Sequence, residues 1–240
     1  MKIDIALLPR DVTMGDLSDK VCIVLDIFRA TTSIVTSVAN GCKTMVPVLS
    51  VEDALALAGQ IGPVLFAGER QSIKIEGFDF GNSPFEFSTD KVKDKTIIMT
   101  TTNGTIAIKA TEGAHHTLIG SFLNAKAVCL EAQKYGKDIL IVCAGTDGLF
   151  SLEDTLCAGL LVQLLHSEGE TQMTDSARGA LLMYTEAKDK LVETAVDSRN
   201  GKRLQDLNRM DDVEYCFRID TLQVVPKYIE GRIILNENTI

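Results

Sequence analysis

Tryptophan is absent from this chain, and histidine occurs only three times in 240 residues. No two of the six cysteines stand in C-x-x-C spacing, and the histidines lie at 115, 116 and 166. A zinc site or a histidine-based phosphotransfer is therefore not expected. There is no GxxxxGK[ST] loop, and no GxGxxG opens a helix after a strand, so the common nucleotide-binding loops are excluded. Positive charge is also short, with 24 Lys and Arg against 33 Asp and Glu and a net charge of −9. That balance leaves no electrostatic footprint for nucleic acid or an anionic membrane. Any anionic ligand must be drawn by a local group of cations and amides, against the field of the whole protein. No apolar run approaches the roughly 20 residues of a membrane span. The opening MKIDIALLPRD breaks at Pro9, Arg10 and Asp11, too early for a secretory h-region. The expectation is a soluble cytoplasmic protein.

What is present is core-forming material. Hydrophobic residues make up 45% of the chain, enough to bury a sizeable interior. In a chain of this size the six scattered cysteines read as free buried thiols. Short apolar runs at 3–8, 21–26, 43–49, 63–67, 96–100, 117–119 and 138–143 have the length and composition of strands. Helical patterns lie between them at 31–40, 51–60, 103–112, 124–135 and 152–166. This alternation predicts an α/β fold of three layers, a largely parallel sheet with helices on both faces. Residues 173–209 read as helices without an intervening strand, and VEYCFRID, LQVVPKYI and GRIIL as extended segments that close the chain. That helical stretch argues against an eight-fold barrel. No Pro/Gly/Ser-rich linker marks a boundary, so residues 1–240 are read as one α/β unit. Two closely packed lobes, about 1–95 and 96–240, are the alternative.

Four strand ends share a feature. After VCIVLD comes Arg29-Ala30-Thr31-Thr32-Ser33, and after TIIM comes a run of hydroxyls with Thr101, Thr102, Asn103, Gly104 and Thr105. HTLIG is followed by Ser121 and Asn124, and DILIVC by Gly145, Thr146, Asp147 and Gly148. Helix capping explains one such loop. Four of them on the carboxyl edge of a parallel sheet, where ligands bind, suggest an anion held by helix starts.

Acids and arginines fall on the same edge. Asp26 ends a strand three residues before Arg29, and Glu69-Arg70 end another. Surface ion pairs are one reading; carboxylates holding Mg²⁺ beside phosphate-gripping arginines are the other. The loop 76–84 is either a structural turn or a flap carrying Asp79 as a metal ligand. Glu153 and Asp154 open a helix, where acids are favoured by the dipole and where a ligand or general base could sit. The C-terminal acids Asp211, Asp212 and Asp220 are expected to be mostly solvated.

DIFRATTSIVTSVANG (26–41), AGERQSIKIEGFDFGNSPFEF (67–87), TTTNGT (100–105), GSFLNAKAV (120–128) and CAGTDGLFSLEDTLCAG (143–159) together resemble the 2-phosphosulfolactate phosphatase (ComB) family. The resemblance runs in order from about residue 22 to 160 and weakens toward the C-terminus. It implies an α/β fold distinct from the better-known phosphatase folds. It also implies a Mg²⁺-dependent phosphomonoesterase converting 2-phospho-3-sulfolactate to 3-sulfolactate and phosphate, a step toward coenzyme M. One departure is that Gln71 and Ser72 follow Glu69-Arg70, where a more glycine-rich continuation is expected.

On this footing Asp26, Arg29, Glu69 and Arg70 form the expected catalytic set. Asp26 and Glu69 would hold Mg²⁺, joined by Asp154 or Asp79. Thr31, Thr32, Thr101, Thr102, Asn103, Gly104, Thr105, Ser121, Asn124, Gly145 and Thr146 would supply donors to a small anionic substrate. A carboxylate attack on phosphorus and attack by a metal-bound water both remain open, with Asp26 the nucleophile candidate. Two alternatives remain: another short phosphorylated hydroxy acid as substrate, and a small-polyanion-binding protein without turnover; a homodimer is one assembly open to the chain.

Overall fold

Seven apolar runs become strands in the computed structural model, which describes residues 1–12, 17–167 and 171–235. In chain order they are β1 (Lys2–Ala6), β2 (Lys20–Leu25), β3 (Thr44–Pro47), β4 (Leu65–Arg70), β6 (Thr96–Thr100), β7 (His116–Ile119) and β8 (Asp138–Cys143). Between them lie α1 (Ala30–Ala39), α2 (Val51–Ile61), the short α3 (Thr89–Val92), α4 (Gly104–Lys109), α5 (Ala125–Lys134) and α6 (Leu152–Ser167). Two-residue strands β5 (Ile73–Lys74) and β9 (Gln172–Met173) lie at the sheet edges. The C-terminal third begins with α7 (Asp175–Ala187), α8 (Leu191–Val196), α9 (Arg199–Asp206) and α10 (Met210–Cys216). It continues into the hairpin of β10 (Lys227–Ile229) and β11 (Arg232–Ile234).

VEYCFRID is not extended as the sequence suggests: its first half ends α10. Asp212, Val213 and Cys216 are buried while Asp211 and Glu214 are exposed. That is the period of a helix packed on one side rather than the alternation of a strand.

The strands form one sheet in the order β5-β4-β6-β3-β11-β10-β7-β2-β8-β1-β9. Two parallel blocks, β4-β6-β3 and β7-β2-β8-β1-β9, are joined by the antiparallel β10–β11 hairpin. β6 lies between β4 and β3, so residues on both sides of position 95 build the same block.

Side-chain alternation sorts the interior into three cores. Val21, Ile23 and Leu25 of β2 face one way, onto α5, α6 and α7. Cys22 and Val24 face the other, into a middle core shared with α1, α4 and with Met45, Ile97 and Met99 of the second block. The far face of that block, with Val46 and Ile98, packs on α2. So α1 and α4 lie between the two blocks, and the sheet turns around them. Three antiparallel steps separate β3 from β7. A twist of roughly 20–25° per strand over the steps from β6 to β2 swings the blocks by about 100° or more, which lets their carboxyl ends meet.

Candidate active site

The meeting point is a cluster of buried carboxyls. Asp26, Glu69, Glu153, Asp154 and Asp212 are each 7% exposed or less, and Arg29 is the one basic side chain among the buried residues described. Each carboxyl that follows is placed by a turn or a helix start.

Asp26 directly follows β2, and its Oδ1 accepts from the Ala30 amide at the start of α1 (3.2 Å). Thr31 Oγ1 accepts from the Asp26 amide (2.9 Å). Across from it, α4 begins so close that a Cβ at Gly104 would stand 2.7 Å from Asp26 Oδ2 and 2.5 Å from Ala30 Cβ. Only glycine allows this approach. Burial is the main force on Asp26, pushing its pKa from 3.8 to about 7. The Ala30 amide pulls it down, Glu69 and Glu153 raise it further, and Arg29 opposes them.

Glu69 is held by two backbone amides: Thr102 donates to Oε1 (2.8 Å) and Ser72 to Oε2 (2.6 Å). The Ser72 amide reaches it because Gln71 and Ser72 form the two-residue turn between β4 and β5, with Arg70 paired to Ile73. Both have left-handed backbone, φ +54 and +66. Such a turn favours glycine or asparagine, the physical counterpart of the glycine-rich continuation that the family resemblance implies. Here the strain of two non-glycine residues is accepted, and the turn's Ser72 carbonyl also takes the Arg29 Nη2 donor (3.0 Å).

Arg29 is fixed from its other side by Asp212 (Nη1 to Oδ2, 2.5 Å), whose Oδ1 accepts from Ser83 Oγ (2.6 Å). Asp212 therefore corrects the expectation of solvated C-terminal acids. α10 packs it against Arg29, and a buried guanidinium needs a counter-charge. Asp154 bridges two loops, accepting from the Ile27 amide at Oδ1 (2.8 Å) and the Gly145 amide at Oδ2 (3.1 Å). Burial first, then Asp26 and Glu153, raise its pKa well above the ordinary carboxyl value. Burial likewise raises Glu153, against the pull of Ser198, Ser151 and Asn200.

Asp26, Arg29 and Glu69 line a cleft of about 10 Å³ together with Thr102, Asn103, Ser72, Asn82, Asn200 and Arg203. Three oxygens on these residues, Asn82 Oδ1, Asn200 Oδ1 and Thr102 Oγ1, are buried without a hydrogen-bond partner. A much larger cavity, about 590 Å³, lies elsewhere, between Thr111–Thr117 and the β10–β11 turn. It contains none of the clustered carboxyls, so chemistry rather than size identifies the site.

The other expected residues are distributed unevenly. Arg70 folds back onto its neighbours, with Nη1 on the Glu69 carbonyl (2.8 Å) and Nη2 on Thr100 Oγ1 (3.1 Å). Asp79 is exposed and accepts from the Phe66 amide (2.7 Å), so it does not join the cleft. Thr31 and Thr32 hydroxyls turn onto the carbonyls of Asp26 and Ile27. Thr101 and Thr105 bond one another. Ser121 and Asn124 close on themselves and on the Val224 carbonyl, anchoring the chain that leads to β10. Thr146 is tied to Leu149 across the Asp147-Gly148 turn, and its carbonyl accepts from Arg199 (3.2 Å).

Asn82, Asn200, Arg203 and Asp212 are cleft or near-cleft residues that sequence reasoning missed. Asn82 lies within the loop 76–84, open to both a structural-turn and a flap reading, in which Asp79 is the residue the flap reading singles out. The other three lie in helices with no local signature beyond the buried-helix spacing of 212, 213 and 216.

A model of the 2-phosphosulpholactate phosphatase family matches residues 6–231. A probable 2-phosphosulfolactate phosphatase of Clostridium acetobutylicum is 41% identical over 236 residues, covering 98% of this chain and 100% of the relative. One from Clostridium kluyveri is 39% identical over 238 residues, 99% of each chain. One from Caldanaerobacter subterraneus subsp. tengcongensis is 40% identical over 218 residues, 90% of each. With a match that spans every carboxyl of the cluster, from Asp26 to Asp212, this chain belongs to the 2-phosphosulfolactate phosphatase family.

Proposed function

We propose that the protein is a Mg²⁺-dependent phosphomonoesterase that hydrolyses 2-phospho-3-sulfolactate to 3-sulfolactate and phosphate, in the branch that leads toward coenzyme M. The observation that carries the reading is the buried group of carboxyls whose charges bear on Asp26, namely Glu69, Glu153 and Asp154, beside the buried Arg29–Asp212 pair. Buried charge of one sign is costly unless a counter-ion neutralises it. The donor set is all oxygen, which suits Mg²⁺. Among the described residues no three acidic, histidine or cysteine side chains converge as a ready cage. That fits an ion which takes one or two carboxylates and completes its shell with water and substrate phosphate.

Asp26 and Glu69 are the carboxylates that would hold the ion, with the unpartnered Asn82 and Asn200 oxygens beside them. Bound there, Mg²⁺ would supply charge neutralisation at the phosphoryl oxygens. Asp154 serves as the brace that fixes the loops after β2 and β8, since both its oxygens are engaged by amides. Arg29, held on two sides, offers a guanidinium of fixed direction to a substrate oxygen. Asp26, near pH 7 in its ionisation, has the basicity of a group that works near neutrality, as nucleophile or as acceptor of water's proton. Phosphoryl transfer asks chiefly for positioning and charge neutralisation, which needs neither cysteine nor histidine.

The test is phosphate release from racemic 2-phospho-3-sulfolactate with Mg²⁺ and with EDTA. Metal-dependent release is expected. Release that survives thorough chelation removes the metal from the reading, and no release in either condition removes the substrate. Trapping separates the two routes: borohydride added to a quenched turnover reduces Asp26 only if its carboxylate has attacked phosphorus and stands as the acyl phosphate. Phospholactate and phosphoglycolate in the same assay test whether the sulfonate is required.

A further inference from the structure

Two guanidinium groups line the cleft, and they are held very differently. Arg29 is 3% exposed and shares a buried pair with Asp212, also 3% exposed. Removing either partner would strand a charge in the interior. Arg203, on α9, meets Asp147 at 2.6 Å with the two side chains 28% and 40% exposed. A pair wetted to that degree contributes little to stability and exchanges partners readily.

The Asp147 turn has no need of Arg203. Thr146 and Leu149 bond each other in both directions, amide to carbonyl, at 2.8 and 3.0 Å. The Asp147 amide is held by Asn103 Oδ1 at 3.2 Å, and Arg199 grips the Thr146 carbonyl. Asp147 and Gly148 take the left-handed conformations, φ +55 and +72, of a tight Asp-Gly turn. The carboxylate is thus a side branch of a turn that stands without it. The cleft, at about 10 Å³, has room for about one water-sized group. A three-carbon polyanion requires it to widen, and the Arg203–Asp147 contact is the cleft's most weakly held ion pair.

We propose that Arg203 is the substrate-anion clamp of this site and that Asp147 is its internal competitor. The guanidinium exchanges the Asp147 carboxylate for an oxyanion of the ligand, a phosphate, sulfonate or carboxylate oxygen. This rests on the reading of the cleft as a site for a small polyanionic phosphate ester. It assigns to α9 a binding role that neither the strand-end loops nor the Glu69-Arg70 pair supplies.

The two partners of the pair then act in opposite directions, which a merely structural ion pair would not do. Binding of inorganic phosphate is measured by calorimetry in the presence of Mg²⁺, alongside KM and kcat for 2-phospho-3-sulfolactate. Arg203→Ala is expected to weaken phosphate binding about tenfold or more and to raise KM similarly with little change in kcat, as for a lost uniform binding contact. Arg203→Lys recovers part of the affinity. Asp147→Asn, which keeps a residue tolerant of left-handed backbone, is expected to tighten phosphate roughly threefold to tenfold by removing the competitor. Circular dichroism confirms that each variant is folded. Both single variants moving affinity the same way, or neither moving it, overturns the proposal, as does a wild-type protein that binds no phosphate at millimolar concentration. A wild-type protein that binds phosphate but leaves 2-phospho-3-sulfolactate intact overturns the substrate reading alone, and the calorimetric arm still decides the clamp.

Discussion

Asp26→Asn is expected to make the metal-free protein more stable and to abolish its turnover. In the folded chain Asp26 ionises at about 7 instead of 3.8, so folding holds a proton that the unfolded chain releases. At pH 3 both states are protonated and the residue is neutral to stability. As pH rises past 3.8 the unfolded state loses its proton first, and stability falls until about pH 7, above which the penalty is constant. A gap of about three pH units at 1.36 kcal/mol each is about 4 kcal/mol, an upper figure because neighbouring carboxyls share the charge. Asparagine carries no charge to desolvate and keeps an oxygen for the Ala30 amide. The variant should therefore gain about 2–4 kcal/mol at pH 8, or roughly 5–15 °C in midpoint for a chain of this size.

The assay is thermal and urea unfolding of wild type and variant in EDTA, at pH 8 and at pH 5. The stability gap should be widest at pH 8 and shrink at pH 5, where folded Asp26 is protonated. Mg²⁺ should then raise the wild-type midpoint by mass action and leave the variant nearly unmoved. An Asp26→Asn protein that is no more stable than wild type at pH 8, or whose advantage is the same at both pH values, refutes the desolvation argument. One that retains wild-type turnover refutes the assignment of Asp26 to the chemistry.

Asp212→Asn leaves Arg29 buried without its counter-charge and should cost about 3–5 kcal/mol in urea unfolding. Gln71→Gly relieves the left-handed strain at an exposed position; a gain of roughly 1 kcal/mol is expected in the same measurement, with phosphate release unchanged. Gly104→Ala pushes a methyl against Asp26 Oδ2 and Ala30 Cβ. It should destabilise by about 1–3 kcal/mol as α4 shifts and lower turnover in the release assay.

The strand and helix alternation was legible because each run is long enough to show its period. β2, β4, β6 and β8 fall within two or three residues of the expected spans. The insertion of the C-terminal hairpin into the middle of the sheet was not legible. β10 and β11 have three residues each, too few to encode a partner, and their position follows from contacts with β3 and β7 that only the folded chain creates. The same distinction holds at the site. Asp26, Glu69 and Asp154 are visible as acids at strand ends and a helix start. Asp212 reaches Arg29 from 183 positions away, and Asn200 reaches the Phe28 carbonyl from 172. Asp79 misled because a loop acid was free, on sequence grounds, to point anywhere; the Phe66 amide captures it.

Three of the four donor-rich loops, those after β2, β6 and β8, turn their amides on the protein's own carboxyl groups. The amides of Ala30, Ile27, Ser72, Thr102 and Gly145 all point at Asp26, Glu69 or Asp154. Most of the hydroxyls beside them satisfy local carbonyls and so stiffen the turns that aim those amides. Backbone amides supply partial positive charge without titrating or moving, so they hold the carboxyls in place but do not offset the burial that raises Asp26 and Asp154. Cations at the strand ends alone would have made an ordinary phosphate pocket. A cluster of amide-held acids makes a cation the natural next layer, and a phosphate ester the layer after it. On the proposed reading the overall acidity of the chain and a polyanionic substrate are compatible: the attraction would reside in the ion and in guanidinium groups, and the acids would serve to position them.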